Sequence, residues 1–278
     1  MTTRKRLRTT TGEARLLDHL GHVRTRIADA DGLVVCLDYA SAADDRDVIS
    51  DTVRATLAAL ADEDDFEVAV VSELALTDLV GRVGVPGLVY AGNHGLEFVR
   101  GHPRAVNPSA ATYRPVMGEL AETLCEALAA VDGCRIDDRD LTVVVDHCEA
   151  AREMQPAIRA AVIDAIKARD CDCRTRFEAD AIRIGPPMAW ERERRQFVGL
   201  LERTAAGSDP LLIYLGGPDD EPVFRELGDG SVSARVGPAA ETAAEYRLAD
   251  ADEFGTFLDW LVDEGVAALP HHHPDEAA

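Results

Sequence analysis

The chain has 278 residues, 46% of them hydrophobic, and its 51 acidic side chains against 29 basic ones give a formal net charge of -22. A hydrophobic share of that size excludes a wholly disordered chain, and the acidic balance argues against nucleic acid, whose binding needs Lys and Arg to neutralise phosphates. Lysine occurs only at Lys5 and Lys167, and an acidic, lysine-poor chain suits a high-salt cytoplasm, where molar salt screens self-repulsion over ~3 Å. The basic run Arg4 to Arg8 is the exception to the acidic trend and reads as a solvated end.

No stretch of 18 consecutive apolar residues occurs and no apolar signal region opens the chain, so a cytoplasmic location without membrane contact is expected. Six cysteines, Cys36, Cys125, Cys134, Cys148, Cys171 and Cys173, then read as reduced thiols. Cys171-Asp172-Cys173 has the look of half a metal site, but no second Cys/His pair with zinc-like spacing follows it. The tail His271-His272-His273 could capture a metal adventitiously.

In chain order, "GLVVCLD" (32–38) predicts a buried strand, "SDTVRATLAALADE" (50–63) a helix capped by Ser50-Asp51, and "FEVAVVS" (66–72) and "GLVYAG" (87–92) two further strands. A different region follows from about 106 to 183: helix 113–131, strands 133–136 and 141–146, helix 153–169, and two short strands near 173–184. The first pattern then resumes with helix 192–205, strand "LLIYLGG" (211–217) and helix 251–264. Alternation of this kind predicts an α/β fold with a doubly wound parallel-sheet, Rossmann-like core interrupted by an α+β cap. The core is expected over 30–105 and 184–268, the cap over 106–183, and flexible termini over 1–10 and 269–278.

Chemistry in such a fold collects beyond the carboxyl ends of the strands. Strand one ends at Asp38, strand two at Ser72, and the fourth at Gly216-Gly217-Pro218-Asp219-Asp220. A carboxylate nucleophile, a hydroxyl and a further acidic loop are what covalent phosphoryl transfer through an aspartate would assemble. Each also has a plain reading: Asp38 as a turn cap, Ser72 as a helix cap, Asp219-Asp220 as a solvated turn.

The stretch "VSELALTDLVGRVGVPGLVYAGNHGLEF" (71–98) resembles the trehalose-6-phosphate phosphatase family of the haloacid dehalogenase superfamily, above all in "LVYAGNHGLE". Support continues in "PPMAW" (186–190), in "IYLGG" with "DDEPVF" (213–224) and in the closing segment 235–261, so the resemblance covers about 30 to 265. It implies hydrolysis of trehalose 6-phosphate through an aspartyl-phosphate, with Mg²⁺ as cofactor and Asp38, Ser72 and the motif-three position, Arg192, as catalytic residues. It implies sugar recognition by Asn93, His94, Gly95 and Glu97, and metal ligation by Asp38 with Asp219 or Asp220.

Several family positions are changed. Where members carry Asp-x-Asp-Gly-Thr, this chain has Asp38-Tyr39-Ala40-Ser41-Ala42, so the acid/base aspartate is Ala40, a loss of about 10²–10⁴ in rate. Ala40 keeps only a backbone carbonyl to offer a metal. Gly217-Pro218 stand where the family has two metal-binding aspartates, Arg192 stands for its lysine, and Asp146-His147-Cys148 stand for a His-Tyr-Arg run in the cap. Asp219 and Asp220, or Asp44 and Asp45, are candidates to refill the missing places. Three readings follow: a catalytically degenerate member that partners a trehalose-6-phosphate synthase or an intact phosphatase; a working phosphatase with recruited aspartates; and a sugar-phosphate sensor. If the chain is active Mg²⁺ is required, and otherwise no cofactor is.

Overall fold

The computed structural model describes residues 14–43, 48–188, 190–205, 209–228 and 230–270. The strands in chain order are β1 (Leu33–Asp38), β2 (Phe66–Val71), β3 (Val89–Gly92), β4 (Glu97–Arg100), β5 (Arg104–Val106), β6 (Arg135–Asp138), β7 (Val143–Asp146), β8 (Arg174–Phe177), β9 (Ala181–Gly185), β10 (Leu211–Gly216), β11 (Val232–Val236) and β12 (Tyr246–Leu248). The helices are α1 (Leu20–Ala28), α2 (Tyr39–Ala42), α3 (Asp51–Ala61), α4 (Leu76–Val83), α5 (Pro108–Ala111), α6 (Arg114–Leu128), α7 (Gln155–Ala168), α8 (Trp190–Thr204), α9 (Glu221–Phe224) and α10 (Ala251–Trp260).

Eight strands form the core sheet in the order β12-β11-β10-β1-β2-β3-β4-β5. All six residues of β1 and all six of β10 are buried, which is why both segments read as unbroken apolar runs. Their side chains alternate between two hydrophobic layers. Val35, Leu37, Val70 and Ile213 join Leu57 of α3, Leu79 of α4 and Phe257 of α10. Val34, Cys36, Val71 and Leu212 join Phe197, Val198 and Leu201 of α8 and Phe224 of α9 on the other face.

The sheet is parallel from β12 to β3, but β3 pairs antiparallel with β4 and β4 with β5, so the expected all-parallel core carries a hairpin extension at one edge. These short strands, "EFVR" and "RAV", are only partly buried, and such edge strands lack the apolar run that reveals a central one. The expected helix 50–63 is α3, opened by Ser50, whose hydroxyl accepts from the Val53 N–H at 3.2 Å. The expected helix 251–264 is α-helical to Trp260 and continues as a π-turn over Leu261–Gly265.

The second sheet runs β6-β7-β9-β8, all antiparallel. Its Val143, Val145, Ile182 and Ile184 pack against Leu120 and Leu124 of α6 and Ile158 and Val162 of α7. Together with α6 and α7 this sheet occupies the chain between Arg114 and Gly185, where a cap is expected over 106–183.

Candidate functional site

Register decides where the chemistry-bearing residues meet. Asp38 pairs with Val71 across β1 and β2, and Leu37 with Leu215 across β1 and β10, so Asp38, Ser72 and Gly217 emerge side by side at one end of the sheet. Asp38 is 6% exposed. Its Oδ2 accepts from the Ser41 backbone N–H at 3.1 Å and from the Ser41 hydroxyl at 3.0 Å, so it also caps the one-turn helix α2. Asp38 therefore combines a strand-end position with the plain capping geometry. Ser41 was not singled out by sequence, because an N-cap Asp accepts from the backbone N–H three residues on whatever residue stands there.

Arg194 Nη1 lies 3.3 Å from Asp38 Oδ1 and also donates to Asp220 Oδ1. Asp220 is 1% exposed; the Tyr214 hydroxyl donates to its Oδ1 at 2.8 Å and the Gly217 N–H to its Oδ2 at 2.8 Å. A Cβ at Gly216 would come within 2.4 Å of Asp220 Oδ2, so the glycine makes room for this carboxylate. Burial, then the charge of Asp220, push the Asp38 carboxyl up to about 7, against the pull of Arg194 and Ser41. Burial opposes the charge of Arg194, but Asp220 and Asp38 outweigh it and hold its pKa well above the usual arginine value.

The basic residue at this position is thus Arg194, and Arg192, named from the sequence, is exposed on α8. Trp190, Arg194, Phe197, Val198 and Leu201 are the buried stripe of that helix. Their spacing of four, seven, eight and eleven residues was the signal that could have found Arg194, since position 192 falls off the stripe. Arg195 pairs with Glu226 on α8's outer side. Asp219 and Asp220 also part company: the Asp219 side chain is 76% exposed and meets Arg176 of β8 at 3.4 Å.

The segment "GNHGLE" builds a joint. Asn93 and Glu97 are fully buried. Asn93 Nδ2 donates to Glu97 Oε1 at 2.8 Å and to the Arg139 carbonyl at 2.9 Å, and its Oδ1 accepts from the Thr142 hydroxyl at 2.6 Å. Glu97 also accepts from the Leu76 N–H at 2.9 Å and pairs with Arg104. Of these two expected sugar contacts, Asn93 spends its polar atoms tying the core to the β6–β7 connection, and Glu97 spends its own on α4, Asn93 and β5. Gly95 has φ +89, and a Cβ there would sit 3.1 Å from Phe197 Cβ, so its role is to let α8 approach.

Of the four, only His94 lines the cleft, an opening of about 590 Å³ between the sheet end and the second sheet. Its ring stacks on Trp190 at 5.2 Å, and burial together with Arg194 drives its pKa well below the usual histidine value, leaving the imidazole neutral. Ser72 also lines the cleft; its hydroxyl accepts from the Leu74 N–H at 3.1 Å and its carbonyl from the His94 N–H at 2.8 Å. In the second sheet, Asp146 pairs with Arg135 and His147 is 2% exposed, and neither lines the cleft.

Glu73 fastens the two sheets together, pairing with Arg139 at 3.2 Å and with Arg183 of β9. Burial would raise its pKa, but Arg183 and Arg139 outweigh burial and bring it down to about 2. A depressed carboxylate stabilises the fold above its unfolded pKa, and that contribution is lost as pH falls from about 4.5 towards about 2. Glu73→Gln should therefore cost about 1–3 kcal/mol in urea unfolding at pH 7 and visibly less at pH 3. Equal losses at both pH values would mean that the side chain acts through packing alone.

The residues present do not fit the Mg²⁺ ion that the haloacid dehalogenase class generally uses. Magnesium takes about six oxygens at about 2.0–2.1 Å. Here every oxygen of Asp38 and Asp220 already accepts from a protein donor, and a guanidinium lies against both carboxylates. Gly217 and Pro218 bring no side-chain oxygen, and Asp219 points away. Among the described residues no group of three or more His, Cys, Asp or Glu is placed to hold a metal. Asp44 and Asp45 lie outside the described residues.

A mostly parallel sheet whose first strand ends in a buried aspartate, with a second, antiparallel sheet set into the chain, is a haloacid dehalogenase-like fold. A solved haloacid dehalogenase-like hydrolase from Bacteroides thetaiotaomicron superposes with a TM-score of 0.57 at 14% identity, covering 83% of this chain and 99% of that one. A family model described as Trehalose-phosphatase matches residues 35–252, and the chain belongs to that family. A trehalose-phosphate phosphatase of Mycobacterium bovis (strain BCG / Pasteur 1173P2) is 30% identical over 201 residues, 70% of this chain and 51% of that protein. One from Mycobacterium marinum is 31% identical over 69% of this chain and 50% of its own length. The chain thus spans about half the length of these relatives. A structure titled as a trehalose-6-phosphate phosphatase related protein has a TM-score of 0.70 at 19% identity, covering 84% and 99%. The C-terminal domain of a Candida albicans trehalose synthase regulatory protein gives 0.65 at 13%, covering 86% and 97%. Among the described residues no helix is long and apolar enough to cross a membrane.

Proposed function

We propose that this chain is a trehalose-phosphatase family member with attenuated phosphoryl transfer, acting as a regulatory or assembly partner in trehalose 6-phosphate metabolism. The observation that carries the reading is Arg194 lying between Asp38 and Asp220, where its guanidinium takes the carboxylates that a divalent cation would need. Phosphoryl transfer relies on positive charge against the transferring group, so a site without a cation seat loses several kcal/mol of transition-state stabilisation.

Two further features support it. Ala40 lines the cleft at the acid/base position and cannot exchange a proton. The cleft also carries six carboxylates, Asp38, Glu73, Asp219, Asp220, Asp250 and Asp252, against the three guanidiniums of Arg176, Arg183 and Arg194. A phosphate dianion entering there meets net negative charge, which favours weak binding in low salt. The regulatory protein from Candida albicans is a fold neighbour and a precedent for the architecture; the trehalose-6-phosphate synthase partner is part of the proposal.

The competing reading, a working phosphatase, draws on the nearness of Asp220 to Asp38, both of which touch Arg194 Nη1. Phosphate release from trehalose 6-phosphate with Mg²⁺ in molar salt, measured beside Asp38→Asn, separates the two. The expected result is release at or near the background of the variant. Turnover well above background and abolished by Asp38→Asn would replace the first reading with the second.

A further inference from the structure

The Cys171-Asp172-Cys173 segment is not used by the site described above. It lies in the connection between α7 and β8, with both cysteines half-buried and Cys171 Sγ 2.8 Å from Cys173 Sγ. Two thiolates on one tetrahedral metal at about 2.3 Å each would stand about 3.8 Å apart, and no further His, Cys, Asp or Glu completes a metal group among the described residues. The pair is therefore closer than a shared metal would hold it, and the two sulfurs are within reach of a bond to each other.

We propose that Cys171 and Cys173 form a redox-active dithiol that exchanges reversibly with low-molecular-weight disulfides. The step balances as two protein thiols plus one external disulfide giving one intramolecular disulfide and two external thiols. Cys171, as thiolate, attacks one sulfur of the external disulfide and expels the first thiolate, leaving a mixed disulfide. Cys173 then loses its proton to solvent and attacks Cys171 Sγ, expelling the second; the protein is oxidised by two electrons and the external disulfide reduced.

Burial, then its hydrogen bond with Cys171, push the Cys173 thiol up to about 12. A single residue between the cysteines makes a small, strained ring, and strained disulfides are easily reduced, which gives reversibility. The neighbouring strand gives the exchange a route to the cleft. Cys173 directly precedes β8, where the Arg174 guanidinium lies 5.7 Å from the centre of the Trp190 ring and Arg176 reaches Asp219 at 3.4 Å. Closing the ring pulls on the foot of that strand.

The test is equilibration of the full chain with oxidised and reduced glutathione at set ratios, followed by alkylation and peptide mass mapping. The expected result is a loss of about 2 Da confined to the Cys171–Cys173 peptide, reversed by reduced glutathione and absent in Cys171→Ser and Cys173→Ser. A Cys148→Ser chain, altered at an exposed thiol away from the pair, should still show it. Both thiols remaining alkylatable at high oxidised glutathione, or a stable mixed disulfide that Cys173 never resolves, would overturn the proposal. Oxidation should also change tryptophan emission, and the change should vanish in Trp190→Phe; identical spectra in both redox states would overturn the link to the cleft.

Discussion

Arg194→Met is expected to destabilise the fold by about 3–5 kcal/mol, because removing one partner of a buried ion pair leaves the others uncompensated. Arg194 is 7% exposed, and its loss sets the buried carboxylates of Asp38 and Asp220 against each other. The loss should be larger at pH 8 than at pH 5, since a carboxyl already raised to about 7 takes up a proton on the acid side and sheds the repulsion. Asp38→Asn gives the opposite sign. The folded pKa of Asp38 lies above its unfolded value, so the folded state binds more protons between about 3.8 and about 7 and loses stability as pH rises through that window. The neutral variant should therefore be more stable than the parent at pH 8, by on the order of 2–4 kcal/mol, and gain nothing near pH 3.5. Urea titrations followed by circular dichroism in molar salt read both effects. A destabilised Asp38→Asn at pH 8 would mean that the Arg194 pairing outweighs burial.

Ala40→Asp is expected to raise residual phosphate release by about 10²–10⁴, the usual worth of a positioned general acid/base. Ala40 is exposed on α2 and lines the cleft two residues beyond Asp38, so a carboxyl there has room and water around it. Such a group can protonate a leaving sugar oxygen and then activate water against an aspartyl-phosphate on Asp38. The gain should vanish when Asp38→Asn is added. Absolute turnover should stay low, because the change restores proton transfer and leaves the missing positive charge unrepaired. An unchanged rate would show that the missing proton transfer at position 40 is not what holds phosphate release down.

The fold was legible where burial imposes a simple pattern. Strands β1, β2 and β10 stand in the middle of the sheet and announce themselves as apolar runs, and α3 by its Ser50 cap and repeat. The β4–β5 hairpin did not, because an edge strand is not covered on both faces. In the site, Asp38 and Ser72 are visible as strand ends, and the Asp219-Asp220 pair as the loop after β10, but which of the two turns inward is not. Motif position points to Arg192, whereas helix phase puts Arg194 on the buried stripe, and a charged residue on an apolar stripe is the sign of a buried counterion. Asn93 and Glu97 mislead for a related reason: polar letters in a turn look like ligand contacts, and only three-dimensional packing shows that Thr142, Arg139 and Arg104 already satisfy them.

The proposed attenuation depends on a guanidinium holding the ground that a divalent cation would occupy. Calorimetric titration of the EDTA-treated chain with Mg²⁺ in molar monovalent salt tests this directly, with Asp38→Asn and Asp220→Asn alongside. No saturable heat up to about 10 mM Mg²⁺, in the parent or in either variant, is the expected result. A one-to-one site in the parent that both substitutions remove would contradict it.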